Sequence, residues 1–111
     1  MEILDLYDDN LNKLNETVVR GSNIDKGKNI MLAVVFIKNK DNKYLIQKTS
    51  ISKGGEYSTT GGHVLSGESS EISIIREIKE ELGIDIDIKE LKHLNILVNL
   101  VYLIYIFWIK I

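Results

Sequence analysis

The chain has no cysteine and no proline, only two histidines, and no aspartate or glutamate after Glu90. Without cysteine there is no disulfide, no zinc–thiolate site and no thiol nucleophile, and the expected compartment is the cytoplasm. The missing proline accompanies a richness in Ile, Asn and Lys and reads as coding bias more than as physics. No basic, apolar and small-residue succession opens the chain, because Glu2, Asp5, Asp8 and Asp9 occupy the place of a secretory leader. The 14 lysines and arginines are scattered among 16 acids and form no stripe, which argues against polymeric nucleic acid as a partner. What remains is 111 residues, 44% hydrophobic and 27% charged: one domain with enough apolar surface for a core.

Alternation of apolar and acidic residues predicts a short strand over residues 1–7, followed by a polar loop and a second short strand over 17–20. Residues 31–38 and 43–48 are expected to pair as a hairpin around a turn at 39–42. Residues 51–58, with Gly54 and Gly55, should form a surface loop.

The densest signal is GHVLSGESSEISIIREIKEELGI, Gly62 to Ile84, which sets five glutamates and one arginine around one amphipathic helix. The helix is predicted over about residues 69–82, capped by Ser69 or Ser70 and stopped by Gly83. Ile74, Ile75, Ile78 and Leu82 gather on one face, and Glu77, Glu80 and Glu81, at i, i+3 and i+4, share the opposite one. Like charges at this spacing repel by roughly 0.2–0.5 kcal/mol per pair, and Glu80 and Glu81 also face the negative end of the helix dipole. Arg76 reaches Glu80 at i+4. Glu77 and Glu81 have no obvious basic neighbour on the helix, and a hard divalent cation would supply the missing charge.

The spacing Gly62, Glu68, Arg76-Glu77-Ile78, Glu80-Glu81, Gly83-Ile84 resembles the complete Nudix box. TTGGHVLSGESS from Thr59, LIQK from Leu45 and DLYD from Asp5 are similar to bacterial Nudix hydrolases near the isopentenyl-diphosphate isomerase branch. The resemblance covers residues 1–94. It implies an α+β fold, the α/β/α Nudix sandwich, with a mixed sheet and the box helix packed on it. It also implies Mg²⁺ or Mn²⁺ as cofactor, with Glu77, Glu80 and Glu81 as ligands or one of them as the base that deprotonates water. Glu68 would support the site through metal-bound water, the Gly61 carbonyl would be a further ligand, and Arg76 would orient the glutamates. The implied activity is hydrolysis of a diphosphate linkage in a nucleoside diphosphate derivative or another small organic diphosphate. Lys48 and Arg20 match positions that are often basic near the substrate, although Thr49 stands where relatives carry a further arginine.

Isomerase activity is disfavoured, because Gly61 replaces the cysteine that the isomerase needs and two histidines cannot build its site. His63 is therefore expected to pack in a loop or support the site from behind, His93 to be an exposed helix or loop residue, and Tyr57 to pack. From Asn95 the chain turns almost wholly apolar, unlike the family. Sixteen residues as a helix would span about 24 Å, short of a bilayer's core, and β-branched and aromatic residues favour buried strands over a membrane segment. Residues 95–111 are read as a tail foreign to the fold, left by truncation or frameshift, with the second covering helix missing. That reading carries two expectations: an exposed sheet face that drives self-association, and an alternative function as a catalytically impaired Nudix-like nucleotide-binding domain.

Overall fold

The computed structural model describes residues 1–48, 57–99 and 101–110. Strands β1 (Ile3–Tyr7) and β2 (Lys13–Val19) form an antiparallel hairpin. A four-stranded sheet follows in the order β6 (Thr60–His63), β3 (Ile30–Lys38), β8 (Tyr102–Lys110), β7 (Lys92–Asn99). The sheet is mixed: β3 runs antiparallel to β6 and parallel to β8, while β7 and β8 are antiparallel. Two short strands, β4 (Gln47–Lys48) and β5 (Tyr57–Ser58), pair beside it. One helix, α1 (Ser70–Leu82), packs on the sheet, which is the expected α+β arrangement.

Local chemistry sets the helix ends. Ser69 is extended and its hydroxyl accepts from the Ile72 amide, while Gly83 takes the left-handed conformation (φ 71°) that closes the last turn. Ile74 and Ile78 are fully buried against Ala33, Val35, Ile37, Leu103, Phe107 and Ile109. Burying two such side chains contributes roughly 1.5–3 kcal/mol each, against a few tenths for each carboxylate repulsion, so packing holds the acidic helix in place.

Three expectations change. Residues 43–48 do not return as one strand along β3: only the Lys38–Tyr44 bridge and the Leu45 N–H to Ile37 carbonyl bond follow the turn, and Gln47–Lys48 leave to pair with Tyr57–Ser58. The boundary expected after residue 94 falls inside β7, and the apolar tail supplies β8, which lies between β3 and β7 in register from Ile30–Tyr102 to Lys38–Lys110. A strand flanked on both sides and apolar on both faces reads as a continuous hydrophobic run, which is why its sequence looked foreign. His93 lies on β7, edge-on to Tyr105 and Phe107, rather than in a helix or loop.

Among the described residues α1 is the only α-helix. It covers the sheet face that carries Met31, Ala33, Val35 and Ile37. The opposite face, with Leu32, Val34, Phe36, Ile104, Ile106 and Trp108, stays half-buried. No helix among the described residues is long and apolar enough to cross a membrane.

Candidate active site

Arg76 is the hub of the acidic helix. Its guanidinium donates to both carboxylate oxygens of Glu68 (2.7 and 3.0 Å), to Glu77 (2.8 Å), to the Glu80 carboxylate (3.3 Å) and to the His63 carbonyl (3.1 Å). Glu68 also accepts from the Leu65 amide (2.9 Å), and these hydrogen bonds outweigh partial burial and hold its carboxyl below the usual range. The loop before α1 is pinned from β1: Asp5 is buried and accepts from the Ser66 hydroxyl (2.8 Å), the Gly67 amide (2.9 Å) and Lys13 (3.1 Å). The first turns of α1 are tied to β6 by the Ser73 hydroxyl, which donates to the His63 carbonyl.

Glu77 lies under that loop, its side chain only 13% exposed. Gly62 makes room for it, since a Cβ there would stand 2.5 Å from Glu77 Oε1. A Cβ at Gly61 would collide with the backbone of Ala33 and Val34. Burial raises the Glu77 carboxyl above its ordinary value; Arg76 opposes this, and the negative charge of Glu81 one turn on adds to it. Glu81 also accepts from the Gln47 amide at 2.7 Å, and Glu80 points outward, 58% exposed, toward Arg76.

The structure thus brings Glu68, Arg76, Glu77, Glu80 and Glu81 into one network and sets Gly61 and Gly62 beside it on the edge strand β6. No three acidic or histidine side chains among the described residues converge at metal-ligand distance. The donor chemistry nevertheless fits a hard divalent cation. It is all oxygen, and Glu77 and Glu81 are like charges one helical turn apart, with one guanidinium already shared among four acceptors. Arg20 stands apart from the network, paired with Glu2 at 2.6 Å on the wall of a cavity of about 470 Å³ that His63 and Tyr102 also line. Burial, then Arg20, lowers the His63 pKa. Lys48 lies on β4 opposite Tyr57, and both side chains lie outside the described residues. Sequence reasoning missed Gln47 and Asp5, whose partners are 34 and about 60 positions away.

The NUDIX domain family model matches residues 29–102. The chain belongs to the Nudix domain family. An uncharacterised Nudix hydrolase of Listeria innocua is 35% identical over 92 residues, 79% of this chain and 54% of that protein. A putative Nudix hydrolase of Caenorhabditis elegans is 32% identical over 71 residues, 61% of this chain and 20% of that protein. The chain spans about half the length of the Listeria relatives it matches. Among solved structures, the Deinococcus radiodurans protein DR0079 superposes with a TM-score of 0.79 at 23% identity, covering 99% of this chain and 72% of that one. A MutT structure, from work on the Aliivibrio salmonicida and Vibrio cholerae proteins, superposes with a TM-score of 0.65 at 28% identity, covering 73% of this chain and 64% of that one. The DR0079 superposition runs through β7 and β8, so the C-terminal strands belong to the same Nudix fold.

Proposed function

We propose that this Nudix chain is a Mg²⁺- or Mn²⁺-dependent pyrophosphohydrolase that cleaves a diphosphate linkage in a nucleoside diphosphate derivative or another small organic diphosphate. The observation that carries the reading is the set of Glu77, Glu80 and Glu81 on one helix face beside Gly62, with Arg76 as their one basic partner among the described residues. A divalent cation bound there neutralises the diphosphate and lowers the pKa of water.

The chain's own residues do the rest. Glu77, Glu80 and Glu81 would hold the cation together with the Gly61 carbonyl, with Glu68 in support, and one glutamate of the helix would take the proton from the attacking water. Arg76 fixes Glu68 and Glu77 so that their oxygens do not have to reorganise during the reaction. Lys48 would meet the anionic substrate; Arg20, paired with Glu2 apart from the glutamates, would do so only from the cavity that His63 also lines. The likeness to a MutT structure agrees with a small-molecule substrate.

The outward turn of Glu80, which pairs with Arg76 at 3.3 Å, favours a second reading, a Nudix domain that binds nucleotide without turnover. Assaying phosphate release from a nucleotide panel in Mg²⁺, beside calorimetric nucleotide binding, separates the two. Turnover supports the hydrolase, and binding without product selects the second reading.

A further inference from the structure

The side-chain amide nitrogen of Gln47 donates to Glu81 Oε2 at 2.7 Å and to the hydroxyl of Thr60. An amide nitrogen carries two hydrogens, so both are used and the group is held from two sides. Thr60 is a fixed anchor, 2% exposed at the start of β6. Glu81 is exposed and, among the described residues, pairs with no basic side chain: Arg76 is committed to Glu68, Glu77 and Glu80, and Lys79 to Asp85.

The kind of donor matters. A lysine or arginine in this place would neutralise Glu81 and compete with a bound cation. A neutral amide fixes the direction of the carboxylate and leaves its full charge for a cation or a proton. The contact also joins β4 to α1, which otherwise have no polar link among the described residues.

We infer that Gln47 is a positioning residue, which holds Glu81 beside Glu77 in the orientation that binds a divalent cation. This rests on the metal-dependent reading of the site. The test is Mn²⁺ affinity, read from the electron paramagnetic resonance of free Mn²⁺, for the wild-type chain, Gln47→Leu, Gln47→Lys, Glu81→Gln and the Gln47→Leu/Glu81→Gln double variant. Gln47→Leu should weaken binding about 10- to 100-fold, as loss of a partner behind a metal ligand does, and Gln47→Lys at least as much. In the Glu81→Gln background, Gln47→Leu should cost nothing further, a coupling that a merely structural role would not produce.

Wild-type affinity in Gln47→Leu, or an equal further loss in the Glu81→Gln background, overturns the inference alone. If the wild-type chain takes up no Mn²⁺, the reading of the site falls and the inference falls with it. Should Gln47→Leu not fold, the wild-type chain still decides. The ¹⁵N side-chain amide signals of Gln47 should move with those of the α1 backbone during a Mg²⁺ titration, and signals unmoved at saturation overturn the assignment.

Discussion

Arg76 donates to three carboxylates and a carbonyl, and its pKa is raised further by them, Glu68 foremost. Arg76→Ala leaves Glu68 and Glu77, 16% and 13% exposed, without their counter-charge. Breaking a partly buried pair in this way should cost roughly 3 kcal/mol, read as a lower midpoint in urea unfolding. Glu68 and Glu77 pull in opposite directions with pH. The Glu68 carboxyl is held below its ordinary 4.5, so the stability it contributes is present above about that pH and is lost as pH falls through the lower folded value. Glu77 is raised above 4.5, so its ionisation costs stability as pH rises through the folded value. Without divalent cation at pH 7, Glu77→Gln should therefore unfold at a higher urea concentration than wild type, and Glu68→Gln at a lower one.

At the scale of elements, α1 was legible because everything that specifies it is local: a serine cap, isoleucines four apart, glutamates at i, i+3 and i+4, and a left-handed glycine. The ion-pair reach of Arg76 to Glu80 was legible for the same reason, as an i, i+4 relation. The links that bind α1 to its surroundings were not. Gln47 to Glu81 and Asp5 to Gly67 join segments far apart in the chain, and only the fold makes them neighbours. The place of β8 was hidden likewise, because a parallel partner such as β3 leaves no turn signal between the strands. The two glycines of β6 separate packing from site. Gly61→Ala meets backbone and should destabilise by about 1–3 kcal/mol. Gly62→Ala meets the Glu77 carboxylate rather than backbone, so it should displace that side chain from Arg76, cost less stability than Gly61→Ala and lower Mn²⁺ affinity.

At the scale of the molecule, the two faces of the sheet differ. One is sealed by α1, whereas the other presents Phe36, Lys38, Tyr44, Ile46, Leu94 and Trp108 around a mainly apolar hollow of about 470 Å³, with exposed Leu97 of β7 on the same face. Continuous apolar surface of this kind rarely stays in water, and two copies of this chain can bury it against each other. The 111-residue chain is expected to scatter light as a dimer or larger species, and Leu97→Lys with Trp108→Lys should shift it toward monomer. The acidic helix lies on the sealed side, so self-association through the open face leaves the candidate active site accessible.

On the proposed function, Glu77 and Glu81 serve metal-dependent hydrolysis of a small diphosphate. The most direct measurement is the initial rate of product release from a nucleotide and sugar-nucleotide panel, with and without Mg²⁺, for wild type and Glu81→Gln side by side. Turnover is expected only with Mg²⁺, with a loss of roughly 10²- to 10⁴-fold in kcat for Glu81→Gln. Equal rates in the two proteins, or turnover indifferent to Mg²⁺, would contradict it.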